Sequence, residues 1–310
     1  MKENSAASFK KLVFVVGPTG SGKSAFAMEL ARRTGGVILN CDSVQTYKGL
    51  DIGTAKPTRQ ERDEVKHFLF DQIAMGEVLT AGDYRRAALE VLDRELRRHP
   101  VFAVGGSGFY IQALEKGMFD AGKLDPEREA EIRKQLGQHT LKELHAELTR
   151  LDPETGEELN PNDTYRIYRA LVIILGNGRK LSDLKKEFKP EKLPYPILKF
   201  GIRIDRDALK KRIEERTRHM LQDGLIEEVK GLLVAGLKDW PLLQSVGYKQ
   251  VMMMLEGSLP ESKLLEEIVL RTHQLAKRQM TWFQRDKEIV WLDMTRPEEH
   301  LQDVMRALDS

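Results

Sequence analysis

Eight residues near the start of the chain, Gly17-Pro18-Thr19-Gly20-Ser21-Gly22-Lys23-Ser24, satisfy every fixed position of the phosphate-binding pattern G-x-x-x-x-G-K-[ST]. The glycines let the backbone curl around phosphate oxygens, Lys23 can reach an outer phosphate, and the Ser24 hydroxyl is placed to ligate Mg²⁺. Such a loop needs a strand to deliver it and a helix whose N-terminal N–H groups face the anion. The apolar run Leu12-Val13-Phe14-Val15-Val16 precedes it and a helical pattern over 23–33 follows, so both supports are predicted. The implied ligand is a diphosphate or triphosphate.

An ordinary nucleotide hydrolase also carries an acidic residue at the end of a later apolar strand, to hold Mg²⁺ and orient water. The run Val101 to Val104 ends instead in Gly105-Gly106-Ser107-Gly108. The carboxylate that does follow a strand is Asp42, after Val37-Ile38-Leu39-Asn40-Cys41. Carboxyl ends of parallel strands border the ligand crevice, which makes Asp42 the first candidate for a general base. In Asp42-Ser43 it can equally be a turn or cap carboxylate.

Basic residues gather in three further places. In Lys210 to His219 most charges fit a solvated helix face paired with Glu214 and Glu215, with one arginine free to face phosphates. Arg271, Gln274 and Arg278 share a helix face, with Lys277 adjacent and Trp282-Phe283 beyond. Cations beside aromatics suit a phosphate backbone with stacked bases, although both aromatics can instead be core. Asn160-Pro161-Asn162-Asp163 predicts a turn and cap that launches Thr164 to Ala170, where Arg166 and Arg169 alternate with tyrosines. That face can contact RNA or pack internally.

The elements that must position these residues alternate at first: strands over 12–16, 36–41 and 101–104, helices over 23–33, 83–98 and 108–116. Strand signals then give way to charged helical segments over 126–136, 141–150 and 164–175, and resume at 197–202. Helices over 206–221, 224–235 and 262–283 and a strand over 289–292 follow. The predicted fold class is α/β: a P-loop-type parallel sheet flanked by helices, built from residues 1–117 and 197–310 and interrupted by an all-helical domain at 118–196. The 310 residues, 41% hydrophobic and 32% charged, describe a folded chain rather than a disordered one. Fifty basic against forty-eight acidic residues leave a net charge of +2, so a nucleic acid would be held by local patches. The single cysteine, Cys41, excludes an internal disulfide and is expected to close a buried strand, and no Cys/His spacing suggests zinc. The start lacks the apolar stretch of a signal peptide and the 12–16 run cannot span a bilayer, so a cytoplasmic location is expected. Without a heptad or exposed apolar stripe, the default expectation is a monomer.

In this order, the segments resemble the bacterial tRNA dimethylallyltransferase family, also called tRNA isopentenylpyrophosphate transferases. Besides the P-loop, the resemblance is carried by Asp42-Ser43-Val44-Gln45-Thr46-Tyr47, Asp51 to Pro57, Gly105 to Tyr110, Leu151-Asp152-Pro153, Pro161-Asn162-Asp163, the Arg166 to Leu171 stretch and Ala276 to Phe283. It implies a P-loop that holds dimethylallyl diphosphate rather than ATP and a helical insert that grips the tRNA anticodon stem loop. The dimethylallyl group would pass to the N6 amino group of the adenosine immediately 3′ of the anticodon. The absent strand-end acid then makes sense, because the phosphates depart and no water is aimed at them. By the same resemblance, Gly17 to Ser24 bind the diphosphate, Ser24 ligates Mg²⁺, and Asp42, Thr19 and Arg216 are catalytic. Asp42, Ser43, Val44, Gln45, Ser107, Tyr165, Arg166, Ile167, Tyr168, Arg169 and Arg278 would meet the tRNA.

Several positions depart from the family pattern: His67-Phe68 where two histidines are common, Ser107 for threonine, Tyr165 for glutamine and Gln284 for arginine. His67 is accordingly given no catalytic role. Three other readings stay open: an adenylate isopentenyltransferase, against which the long insert argues; a small-molecule kinase with the insert as lid; and a non-catalytic RNA-binding P-loop protein.

Overall fold

The computed structural model describes residues 10–119, 122 and 124–310. The chain begins β1 (Leu12–Val16), α1 (Lys23–Thr34), β2 (Val37–Asn40), α2 (Arg59–Glu64), β3 (His67–Phe68), α3 (Ala81–Glu95), β4 (Val101–Gly105) and α4 (Gly108–Lys116). Five helices come next: α5 (Pro126–Leu136), α6 (Leu141–Leu151), α7 (Pro153–Glu158), α8 (Thr164–Asn177) and α9 (Leu181–Glu187). It ends with β5 (Ile197–Arg203), α10 (Arg206–Gln222), α11 (Leu225–Val234), α12 (Tyr248–Leu255), α13 (Leu264–Phe283), β6 (Val290–Asp293) and α14 (Pro297–Asp309).

All five residues of β1 are buried because the strand lies inside a parallel sheet covered on both faces, the situation that produces an unbroken apolar run. The six described strands run in the order β3-β2-β4-β1-β5-β6. In register, Val16 lies opposite Gly105 and Gly201, and Asn40 opposite Val104. The carboxyl ends of β1, β2 and β4 are therefore level. The strand order changes direction at β1, which places the P-loop at the sheet's switch point, where ligands of open α/β sheets bind.

Val13, Val15, Phe102, Val104, Phe200 and Ile202 pack one sheet face against Phe26 and Leu30 of α1 and Leu301 and Val304 of α14. Each such side chain contributes about 1.5–3 kcal/mol by leaving water. The predicted α/β sheet is thus found, with additions: α2, α12 and α14 lie outside the expected helices, and the two-residue β3 is too short to show a strand period.

The chain divides into two compact units, one running to Glu115 and resuming at Leu193, the other spanning Lys116–Lys192. Among its described residues the second has helices as its only regular elements, and it has its own core, including Ile132, Leu144, Leu148, Ile167, Leu171 and Ile174. Asp163 starts α8 by accepting the Arg166 N–H at 3.2 Å, and Gly178 ends it in the left-handed region at φ 66°. No helix of the described residues is long and apolar enough to cross a membrane.

Candidate active site

The P-loop leaves β1 and enters α1 through Gly17, Gly20 and Gly22, whose φ angles of 149°, 81° and 90° disfavour a side chain. Ser24 and Gly22 are exposed, and no acidic residue occupies the first turn of α1, so the helix N-terminus is open to an anion. One expected contact is already used, since the Thr19 N–H donates to Gln279 Oε1 at 2.8 Å. Of Thr19, the hydroxyl is what remains for a phosphate. Gln279 Nε2 in turn donates to the Gly106 carbonyl at 3.0 Å, so one glutamine of α13 ties the P-loop to the loop after β4.

Asp42 follows β2 at the carboxyl end of the sheet. Its Oδ1 accepts the N–H groups of Val44 at 2.9 Å and Gln45 at 3.4 Å, which makes it a turn carboxylate, while Oδ2 takes neither bond. Beside it, the Ser43 N–H donates to Ser107 Oγ at 2.9 Å, and that hydroxyl donates to Ser43 Oγ at 3.2 Å. This junction requires Gly105: a Cβ there would collide with the Cys41 carbonyl. Val44 packs against the cluster around Tyr47 and Leu50. Gln45 Nε2 donates to the Thr54 and Ala55 carbonyls at 2.9 and 3.2 Å, leaving its amide oxygen for a ligand.

Two cations face this turn electrostatically. Burial lowers the Lys23 ammonium to about 8, with Asp42 opposing and Arg216 reinforcing the shift. Its nitrogen donates to the Pro18 carbonyl at 3.2 Å. Burial likewise lowers Arg216, again opposed by Asp42, and its Nη2 donates to the Thr54 carbonyl at 3.2 Å. Two cations against one carboxylate leave an excess suited to a diphosphate. Arg212, on the same helix α10, donates to the Ser21 carbonyl at 3.2 Å and braces the loop from behind.

The segment Asp51 to Lys56 acts through structure. Glu228 accepts the N–H groups of Asp51, Ile52 and Gly53 at 3.0, 2.8 and 3.2 Å and the Tyr248 hydroxyl at 2.5 Å. Lys56, buried, bonds Asp51 and Asp71 at 2.6 and 2.5 Å. These bonds fix the Thr54 carbonyl that Gln45 and Arg216 share.

Within the second unit, α8 sorts its predicted contacts. Tyr165 is 78% exposed and Arg166 is also exposed, 3.5 Å from Asp163. Ile167 is fully buried in the helical core, so its side chain is unavailable to RNA, a correction to its expected contact. The Tyr168 hydroxyl donates to the Arg133 carbonyl at 2.6 Å, and Arg169 lies 3.6 Å from Glu129. Both are engaged with α5.

The family model described as IPP transferase matches residues 45–286. The chain belongs to the IPP transferase family. The tRNA dimethylallyltransferase of Bdellovibrio bacteriovorus is 46% identical over 92% of this chain and 93% of its own length. That of Synechococcus elongatus is 40% identical over 96% and 94%. Among solved structures, the full-length tRNA isopentenylpyrophosphate transferase from Bacillus halodurans matches with TM-score 0.70 and 31% identity over 97% of both chains. A eukaryotic dimethylallyltransferase acting on tRNA matches with TM-score 0.75 and 26% identity over 92% of this chain and 74% of its own.

In this member of the IPP transferase family, the α13 face is narrower than its spacing implies. Arg271 is held by Glu267 at 2.6 Å and by Gln274 at 3.3 Å, whereas Arg278 is exposed. Phe283 is core and Trp282, 37% exposed, edges against Gly108. Gln279, Arg212 and Glu228 carry the site's internal connections and were not singled out by spacing. Cys41 is buried against the Tyr84 hydroxyl, and burial pushes its thiol up to about 12, so it is inert. Glu115, Asp286 and Glu288 group closely enough to hold a metal ion. They surround Lys199, whose ammonium bonds Glu115, Asp286 at 2.9 Å and Glu288 at 2.7 Å.

Proposed function

We propose that this enzyme transfers the dimethylallyl group of dimethylallyl diphosphate to the N6 amino group of the adenosine immediately 3′ of the tRNA anticodon, acting in the cytoplasm as a monomer. The observation that carries the reading is a phosphate loop after β1 and a carboxylate after β2 that are both tied to the loop after β4, the first through Gln279 and the second through the Ser43–Ser107 bonds, while β4 itself ends without an acid. A hydrolase would need that acid; a transferase whose phosphates leave does not.

The adenine amino group is a weak nucleophile, so the site must position it, stabilise the leaving group and remove a proton. The nitrogen attacks the first carbon of the prenyl group, the carbon–oxygen bond breaks, and its electron pair departs with the diphosphate. Asp42 Oδ2 takes the proton. Lys23, Arg216 and the Thr19 hydroxyl offset the charge that grows on the leaving oxygen. The exposed Ser24 hydroxyl at the open end of α1 fits Mg²⁺, which would add charge neutralisation at the diphosphate. The base must leave the anticodon stack to reach Asp42, at a cost of about a few kcal/mol. Ser107 and the Gln45 amide oxygen are its proposed partners, with Tyr165, Arg166 and Arg278 on the surrounding RNA.

The test offers labelled dimethylallyl diphosphate to an unmodified tRNA transcript, AMP and ATP in parallel with Mg²⁺. Label on tRNA alone is expected. Label on AMP or ATP would assign the acceptor to free nucleotides, and ATP turnover without transfer would return the loop to nucleotide chemistry.

A further inference from the structure

Asp42 is held by more than its own turn. Its N–H donates to Asn40 Oδ1 at 2.8 Å, and its carbonyl oxygen accepts from Asn40 Nδ2 at 3.1 Å and Thr46 Oγ1 at 3.2 Å. Asn40, fully buried at the end of β2, also donates from Nδ2 to Thr46 Oγ1 at 3.2 Å and to the Leu69 carbonyl at 3.0 Å. The amide has one sensible orientation, because the reverse would set its oxygen against two carbonyls. Leu69 has a φ of 63°, a conformation a leucine keeps only where its surroundings impose it. Behind the strand, the Tyr84 hydroxyl donates to the Asn40 carbonyl at 2.9 Å. With Oδ1 already bound to Val44 and Gln45, these contacts tie the backbone N–H, the carbonyl and one carboxylate oxygen of Asp42, and leave Oδ2 uncommitted.

We infer that Asn40 is a positioning residue whose carboxamide clamps the Asp42 peptide and thereby aims Oδ2 at the acceptor amine. The inference rests on Asp42 being the proton acceptor proposed above. Asn40 itself touches no substrate; its effect is on the direction of a neighbouring side chain, and a misplacement of about 1 Å can cost on the order of a hundredfold in rate. The signature is a loss in kcat with both KM values preserved, because the P-loop and the RNA-facing surfaces are untouched.

The experiment compares Asn40→Ala, Asn40→Ser, Asn40→Asp and Asp42→Ala in single-turnover and steady-state transfer to tRNA, with melting temperatures for each. Asn40→Ala is expected to lower kcat by about tenfold or more, with KM for the prenyl donor and for tRNA within about twofold of wild type. Asn40→Ser should recover part of the loss, since a serine hydroxyl can accept the N–H two residues on in the same kind of turn. If Asn40→Ala does not fold, Asn40→Asp carries the test: it preserves shape but sets an oxygen where Nδ2 donated. Its kcat should fall too, again with both KM values within about twofold of wild type. Folded Asn40 variants that turn over like wild type while Asp42→Ala is inactive overturn the inference and spare the base. So does a loss confined to KM. Full turnover by Asp42→Ala would remove the base reading and the inference together.

Discussion

Lys199 on β5 and Lys23 at the start of α1 are both drawn into the protein, but their surroundings differ in kind. Lys199 bonds Glu115, Asp286 and Glu288; burial pulls its ammonium down and those hydrogen bonds outweigh it, so its net shift is upward. Lys23 bonds a carbonyl, has Asp42 nearby and shares that carboxylate with Arg216, and burial lowers it to about 8. Lys199 is completed by the fold and joins α4, β5 and the segment before β6. Lys23 is left short of negative charge, which is the condition of a residue waiting for an anionic ligand.

The sharpest way to break the contrast is to alter the chemistry while leaving the cations alone. Asp42→Ala should lower kcat by roughly 10²–10⁴ and leave tRNA affinity, measured by filter binding, almost unchanged; comparable losses in both would make Asp42 a docking residue only. Lys199→Met should cost stability instead, roughly 3 kcal/mol because the three carboxylates keep their charge without a partner. Denaturant midpoints measure that, and donor KM at a temperature where the variant is folded should stay constant. A changed donor KM would bring Lys199 into the substrate site.

The Lys23 side of the contrast is read by pH. A diphosphate prefers the protonated ammonium, so donor affinity should be level below pH 8. Above it, affinity should fall by up to about tenfold per pH unit until the higher value of the bound state is reached. Lys23→Arg, which cannot lose its charge in this range, should abolish the slope. The smallest effects belong to the second unit. Tyr165→Ala should weaken tRNA binding about fivefold, the low end for a base stacked on an aromatic ring. Arg166→Ala should reduce the salt dependence by about one ion while Arg169→Ala, whose guanidinium already has Glu129, changes it less.

Legibility followed the same division. The P-loop could be read because a buried strand, glycines at fixed positions and a helix are consecutive in the chain, and each leaves its own pattern. Asp42 could be placed at a strand end, but that Oδ1 is taken up by the turn while Oδ2 takes neither turn bond is something composition does not show. Gln279 stands one position from Arg278 on α13, yet its work, bonding Thr19 and Gly106, depends on chain segments far apart in sequence. Ile167 shows the converse: a short motif surrounded by arginines and tyrosines reads as one surface, while the helical period turns that residue inward. β3 escaped because two residues cannot display alternation.

The position of β1 also governs the order in which the chain can be completed. Its neighbours are β4, made before the insert, and β5, made after it. During synthesis the first four strands can assemble with one long edge of β1 bare, while α5 to α9 emerge with a hydrophobic core of their own. A nascent chain halted inside the insert would already contain the phosphate loop, Asp42 and Ser107, and would lack Arg216 and Gln279. The growing polypeptide thus acquires the buried Arg216 and the Gln279 brace between the P-loop and the loop after β4 only in the last third of translation.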